Sequence, residues 1–442
     1  MGMRGDAQSR IVHPGGFRGG VIRVPGDKSM SHRAVLLAGI SKGTTEIRGF
    51  LQAGDCLNTV RAMEALGARA SLDAAGVLRV TGTGGKLLEP ARPLDVGNSG
   101  TGMRLLAGLC AGAGTKVTLT GDEGLRRRPM ERIQKPLELM GARIALSEGG
   151  TAPMRVEGGG LRGIEYCLPV ASAQVKTCCL LAGLFAEGET AVVEPIPTRD
   201  HTERLLKLAG ADIEVEGRKI RVKGYGAAGP KFRARELEIP GDFSSAAYWL
   251  AAGAAIPGTT TRVEGVGLKP RRTAFLGVLE RMGAKVTVEE LPAAGGVEPV
   301  GNVTVEGARL RGTEVGGEEI PNLIDELPLV AVLGAVARGR TVIRDAAEMR
   351  SEESDRVATI VENLERMGVM ARGRRDGLTV EGPGEVRAAG AVRSHGDHRV
   401  AMALAVLSIF ADCPVCIGGV SCVEKSYPGF WEQLKKTGVN VE

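Results

Sequence analysis

Six times along this chain a helix-like segment ends in a glycine followed by Ala or Val. The copies are MEALGARA (Met63–Ala70), LELMGARI (Leu137–Ile144), LKLAGADI (Leu206–Ile213), LERMGAKV (Leu279–Val286), LERMGVMA (Leu364–Ala371) and LKKTGVNV (Leu434–Val441). Their glycines, Gly67, Gly141, Gly210, Gly283, Gly368 and Gly438, are separated by 74, 69, 73, 85 and 70 residues. A recurring period of this size marks repeated supersecondary units, none of which buries its apolar face alone. A chain of 442 residues is too long for one core, so six units of about 70 residues imply two three-unit domains.

A second signature precedes each glycine: a nearly all-apolar segment and then a short strand. LLAGISKGTTEIRG, LLAGLCAGAGTKVTLTG and LLAGLFAEGETAVVE are the first three, and LAAGAAIPGTTTRVEG, AVLGAVARGRTVIRD and LAVLSIFADCPVCIGG complete the set. A helix apolar all round is a buried helix. The second helix of a unit is amphipathic; in the first copy Leu57, Val60, Met63 and Leu66 form one stripe. Gly67 then suits a left-handed C′ position. Each unit therefore reads strand, buried helix, strand, amphipathic helix, strand, strand.

Val24-Pro-Gly-Asp27 recurs as Ile239-Pro-Gly-Asp242, before the buried helices of units one and four. These are the expected chain crossings between domains, one spanning 25–239 and the other 1–24 with 240–442. Proline fixes φ and glycine permits unusual turns, as a hinge needs.

Unusual polar residues gather at one place in every unit, just before the buried helix. They are Lys28-Ser-Met-Ser-His-Arg33, Gly97-Asn-Ser-Gly-Thr-Gly-Met-Arg104, Ala171-Ser-Ala-Gln-Val-Lys176, Asp242-Phe-Ser-Ser245, Ile324-Asp-Glu-Leu-Pro328 and Gly396-Asp-His-Arg399. Free N–H groups and the helix dipole make a helix start attractive to anions. Six such ends facing one cleft, reinforced by Lys and Arg, would hold small, multiply charged anions such as phosphates and carboxylates. Taken singly, Ser29, Ser172, Ser244 and Asp325 are ordinary N-caps. Capping does not require Lys28, Arg33, Gln174, Lys176, His398 or Arg399. Two more charged runs, Leu125-Arg-Arg-Arg-Pro-Met130 and Arg350-Ser-Glu-Glu-Ser-Asp-Arg356, also read as a solvated turn and a surface helix start.

A net charge of +5 fits an anionic ligand, while only 3% aromatic residues argues against a nucleic-acid partner. Cys413-Pro-Val-Cys416 has CxxC spacing, but no second pair or His cluster completes a zinc site. The eight cysteines are expected to be reduced thiols. The N-terminus lacks the apolar stretch of a signal peptide, and no apolar run reaches the ~18 residues of a membrane span. A cytoplasmic monomer with no membrane partner is expected.

Together these residues resemble the 3-phosphoshikimate 1-carboxyvinyltransferase (5-enolpyruvylshikimate-3-phosphate synthase) family, from about Val21 to the C-terminus. PGDKSxSHR, GNxGTxxR, RPM, SAQVK, IDELP, ESDR, GDHR and KSYP occur in the family's order. The resemblance implies an α/β fold, a two-domain inside-out α/β barrel of six βαβαββ repeats, three per domain, with an interdomain cleft. It implies transfer of the enolpyruvyl group of phosphoenolpyruvate to the 5-hydroxyl of shikimate 3-phosphate with release of phosphate, and no metal or organic cofactor. Lys28 is then expected between the two substrates, with Ser29 and Arg33 on the phosphate ester of shikimate 3-phosphate. Ser172, Ala173, Gln174 and Arg199 are expected to contact the same substrate. Gly100 and Arg128 would bound the phosphoenolpyruvate site, which Arg356 and Arg399 would clamp. Asp325 is the expected base and Glu353 the expected acid; Lys425 matches a lysine found in part of the family.

One position departs from the family pattern. Glu352 stands where most relatives carry a lysine, so the local charge beside Asp325 is reversed. The expected result is raised carboxyl pKa values, weaker shikimate 3-phosphate binding or a higher pH optimum. The family's Asn near Glu348 is also absent. SAQVK and RPM resemble a subgroup that often tolerates the inhibitor glyphosate, whereas Gly100 argues for sensitivity. The sister enzyme that uses UDP-N-acetylglucosamine typically carries a loop cysteine, and GDEGLRRRPM has none. A catalytically silent anion-binding homologue is the alternative that Glu352 raises.

Overall fold

The computed structural model describes residues 8–292, 297–387 and 390–442. They form two compact units. One comprises Gly26–Ile239 with 297–298, the other 8–25, 240–292 and 299–442.

In the first unit the helices alternate between buried and amphipathic. They are α1 (Lys28–Ile40), α2 (Gly54–Ala65), α3 (Gly100–Gly112), α4 (Glu131–Leu139), α5 (Ala173–Gly183) and α6 (His201–Ala209). The second unit continues the alternation with α7 (Phe243–Ala254), α8 (Ala274–Met282), a short α9 (Ile320–Leu323), α10 (Leu327–Val336), α11 (Arg356–Arg366), α12 (His398–Ser408) and α13 (Phe430–Lys436). Every residue of α7 and α12 is buried, as all-apolar segments require. By contrast α11 buries one stripe, including Val357, Ile360 and Leu364. All six repeat glycines lie at positive φ, between 74° and 108°, where a side chain is strained.

Each sheet follows one plan, seen in the second repeat. Leu94–Asp95 runs parallel to Val117–Thr120, which pairs antiparallel with Thr151–Glu157, itself antiparallel to Arg143–Ser147. Burial alternates along Thr151–Glu157, so one face packs on the helices and the other meets solvent.

Two features depart from the linear reading of repeats. The strand preceding α1, Gly20–Arg23, does not join the sheet of repeat one; it pairs parallel with Thr260–Gly267 of repeat four. Glu236–Glu238, which precedes α7, completes repeat one by pairing parallel with Lys42–Arg48. The first strand thus pairs forward in the chain and the second backward, each staying with the unit that the chain leaves at the following Pro-Gly. Among the described residues the sixth repeat also lacks a final strand pair of its own. Ser9–Val12 fills its sheet antiparallel to Val415–Gly418, and the C-terminus adds only the bridge between Val12 and Val441.

Neither Gly26 nor Gly241 adopts a positive φ. Gly26 is needed instead for close approach, since a Cβ there would lie 1.7 Å from the Gly49 carbonyl oxygen. The aspartates that follow are helix caps: Asp27 accepts from the Met30 amide at 2.8 Å and Asp242 from the Ser244 amide at 2.9 Å.

Candidate active site

In the first unit the polar groups sit at the starts of α1, α3 and α5. Asp27 caps α1, so Ser29 lies inside the first turn rather than at the cap. Lys28, the first residue of the helix, is half-buried and pairs with the buried Asp55 carboxylate. One turn on, Arg33 is 4% exposed and tethered on three sides. Its Nε donates to Thr202 Oγ1 at 2.7 Å, Nη2 to Thr177 Oγ1 at 2.8 Å and Nη1 to the Ser29 carbonyl at 3.0 Å. Among the described residues no carboxylate comes within ion-pair distance of it. A guanidinium has five N–H donors, so two remain. Burial pulls the Arg33 pKa down to about 10 against the opposing pull of Glu203 and Asp27, and half-buried Arg199 adds a smaller push downward.

Ser172 is the cap of α5, accepting from the Val175 amide at 3.3 Å, and Ala173 begins the helix. Gln174 Oε1 accepts from Arg104, while its Nε2 donates to Thr101 Oγ1 at 3.0 Å, tying α5 to α3. Gly100 is the first residue of α3, whose cap is Ser99. Arg128 follows a single 3₁₀ turn and is buried, with Nη2 donating to Asn98 Oδ1 at 2.5 Å. Asn98 is held in turn by the Asp122 carboxylate at 2.7 and 3.0 Å. Arg126 and Arg127 are exposed, so the basic run contributes only Arg128 to this interior.

Lys176 belongs to neither the capping nor the anion-binding set. It is fully buried, with Nζ 3.1 Å from Glu194 and 2.6 Å from Glu203, and its charge is spent inside the protein. His32 is also structural: burial, with Lys28 and Arg33 nearby, keeps its pKa well below the usual range, and Nδ1 lies 2.7 Å from Thr59 Oγ1.

The second unit gathers its groups where α10, α11 and α12 begin. Asp325 lies in the turn between α9 and α10 and is not a cap; Glu326 occupies that position and makes no capping bond. Three guanidiniums surround the Asp325 carboxylate: Arg272 Nη1 at 3.8 Å, Arg356 Nη1 at 3.8 Å and Arg399 Nη2 at 3.6 Å. Arg356 opens α11 and also donates from Nε to Asp397 Oδ2 at 2.8 Å and from Nη1 to the Ile324 carbonyl at 3.2 Å. Asp397 caps α12 and accepts from the Arg399 amide at 2.8 Å. Burial would lower the Arg356 pKa, but Asp397, Glu352 and Asp325 outweigh it and leave it raised. The same opposition, with Asp325 the foremost anion, leaves Arg399 raised.

Glu353 Oε2 lies 2.8 Å from His398 Nδ1. Lys425 ends the 3₁₀ segment Val420–Lys425 and is half-buried, near enough to Cys422 to act on its thiol. Glu353, Asp397 and His398 place ligand-type atoms within 4.8 Å of one another. Their donors are already engaged, Asp397 with Arg356 and Glu353 with His398, so a cation would have to displace the Arg356 guanidinium.

Several residues escaped the sequence reading. Arg104 and Asn98 sit within the GNSGTGMR motif, but nothing in the spacing assigns their partners. Arg272 lies in KPRRT, which has no periodicity and no motif. Asp397 had a signal, since Asp27, Asp242 and Asp397 each follow a glycine and precede a buried helix.

Among the described residues no helix is long and apolar enough to cross a membrane. The family model described as EPSP synthase (3-phosphoshikimate 1-carboxyvinyltransferase) matches residues 13–434. A 3-phosphoshikimate 1-carboxyvinyltransferase from Desulforamulus reducens is 44% identical over 428 residues, covering 96% of this chain and 98% of the relative. One from Gloeobacter violaceus is 47% identical, covering 97% and 99%. The solved EPSP synthase of Acinetobacter baumannii superimposes with a TM-score of 0.84 at 40% identity, covering 98% of this chain and all of that one.

Proposed function

This chain belongs to the EPSP synthase family and transfers the enolpyruvyl group of phosphoenolpyruvate to shikimate 3-phosphate in aromatic amino acid biosynthesis; within that activity we propose how its side chains divide the work. The reaction is addition followed by elimination. Asp325 takes the proton of the 5-hydroxyl as its oxygen attacks C2 of phosphoenolpyruvate. Glu353 delivers a proton to the methylene carbon, giving a tetrahedral intermediate. Loss of a proton from the new methyl group and departure of phosphate restore the double bond. Such proton transfers are each worth about 10²–10⁴ in rate when the group is well placed.

Charge is handled by the cations. Arg33, with Ser29, Ser172, Gln174 and Arg199, takes the phosphate ester of shikimate 3-phosphate, and Ala173 contributes the helix start. Lys28 lies between the substrates. Arg128, Arg356 and Arg399 hold phosphoenolpyruvate, with Gly100 leaving room beside Arg128 and Lys425 adding a further cation. These donors are positioned before substrate arrives, by Asn98, Asp397, Thr177 and Thr202, so little reorganisation is needed.

The observation that carries this reading is Arg33: a buried guanidinium with three N–H groups tethered to neutral oxygens and two left for an anion. A phosphate ester supplies the compensating charge bidentately. The test is phosphate release from phosphoenolpyruvate with and without shikimate 3-phosphate. Release should require shikimate 3-phosphate, and Arg33→Met should raise its KM far more than that of phosphoenolpyruvate. Equal effects on both KM values would overturn the assignment of Arg33.

We also infer a cytoplasmic monomer. Cys110, Cys178, Cys179 and Cys422 are buried thiols, as in a reducing compartment, and the exposed large hydrophobics, such as Leu72, Leu139, Val215 and Met370, are spread over separate elements.

A further inference from the structure

Arg272 joins the turn before α8 to the starts of α7 and α10. Its side chain is 2% exposed, so it is a buried cation rather than a surface one. Nη2 donates to Asp242 Oδ1 at 2.6 Å. That carboxylate already caps α7 through the Ser244 amide, so Arg272 is anchored to a rigid helix start. Its other terminal nitrogen, Nη1, faces Asp325 Oδ2 at 3.8 Å and Glu326 Oε1 at 3.7 Å. Glu326 is itself fixed by a hydrogen bond from Ser244 Oγ. The backbone holds the base of the side chain as well, with the Arg272 amide donating to the Lys269 carbonyl at 2.8 Å.

We propose that Arg272 is a positioning residue for the reaction, fixing the Asp325 carboxylate in place and in its charged form. The proposal rests on the reading of Asp325 as the base. The other two cations beside Asp325 have further duties: Arg356 is shared with Asp397, and both Arg356 and Arg399 are assigned to phosphoenolpyruvate. When these turn to substrate, Arg272, anchored on Asp242 and assigned to no substrate group, stays beside Asp325. The charged and titratable groups around Asp325 include Arg272 from the turn before α8, Arg356 from α11, Arg399 from α12 and the neighbouring Glu326. Arg356 in turn feels Asp397 and Glu352, and Arg399 feels Tyr248, Asp242 and Glu326.

The test is the pH dependence of kcat for the wild type, Arg272→Gln and Arg272→Lys, with folding checked by circular dichroism and melting temperature. Loss of a cation beside a carboxylate makes proton binding easier. In Arg272→Gln the acid limb of kcat should therefore move to higher pH by about one unit. Its kcat should fall about tenfold or more, with both KM values close to wild type. Arg272→Lys, whose point charge cannot bridge Asp242 and Asp325 together, should recover part of kcat and show a smaller shift in the same direction. If the Gln variant does not fold, the Lys variant decides by the direction of its shift. An unmoved acid limb, or an effect confined to KM, overturns the proposal. Asp325→Asn separates the two readings. If it is inactive while the Arg272 variants keep the wild-type limb, only the role of Arg272 falls. If it turns over with the wild-type limb, the base assignment falls and the proposal with it.

Discussion

Glu353 Oε2 and His398 Nδ1 lie 2.8 Å apart, joining the segment before α11 to the first residue of α12. The contact aims a carboxyl group assigned to protonate carbon, and both side chains are nearly buried. Removing the imidazole takes away this side-chain contact and leaves the longer one from the His398 amide at 3.5 Å. His398→Ala should lower kcat about 10- to 100-fold, the size of one lost hydrogen bond to a charged group, with KM values little changed. Steady-state kinetics checks this split.

Arg33 offers a pH signature. Its pKa is lowered to about 10 by burial and by Arg199, so it is charged below that pH and neutral above it. The advantage of wild type over Arg33→Met in binding shikimate 3-phosphate should be complete near neutrality. It should shrink as pH rises through about 10. Calorimetric titration of both proteins from neutral to alkaline pH measures the difference, which removes the contribution of other lysines and arginines.

A Cβ on Gly100 would lie 3.0 Å from Arg128 Nη1 and 3.3 Å from Arg104 Nη1. Both are ends of flexible side chains, so the protein can yield, with Arg128 and Arg104 each displaced by a few tenths of an ångström. Gly100→Ala should raise KM for phosphoenolpyruvate roughly tenfold, within the ~1–3 kcal/mol range of overpacking. The KM for shikimate 3-phosphate should change much less.

The cluster around Asp325 already sets Arg272, Arg356 and Arg399 against the acids Asp242, Asp325, Glu326 and Asp397. Glu352 acts on the same Arg356. Glu352→Lys should raise kcat/KM for shikimate 3-phosphate by about tenfold, an electrostatic change of ~1–2 kcal/mol at an effective dielectric near 20 or above. The acid limb should move to lower pH, because a cation favours ionised carboxylates. No gain in kcat/KM would show that Glu352 is neutral in function.

Lys176 is the test of stability without chemistry. Lys176→Met leaves Glu194 and Glu203 buried without their shared cation. The expected loss is about 3–5 kcal/mol of unfolding free energy, read from denaturant midpoints. Wild-type turnover with a lowered midpoint would confirm that this lysine belongs to the scaffold.

The periodic part of the architecture was legible in the primary structure. Six buried helices, the amphipathic partners and the left-handed glycines each follow from apolar spacing within one element. The clustering of Lys28, Arg33, Gln174, Asp325 and Arg399 at helix starts was equally visible, because a helix start is a local property. Three-dimensional packing decided the rest. Gly20–Arg23 and Glu236–Glu238 exchange sheets, and Ser9–Val12 closes the sixth repeat, because strand pairing is made between segments far apart in the chain. Arg33 and Lys176 look alike in sequence as cations near the starts of buried helices. One meets threonine hydroxyls and keeps donors for a ligand, and the other meets two glutamates and is neutralised. Arg272 carried no signal at all. Its significance comes from distances to Asp242 and Asp325, residues 30 and 53 positions away. Charge interactions depend on distance and burial in the folded state, and neither is encoded in the spacing of one segment.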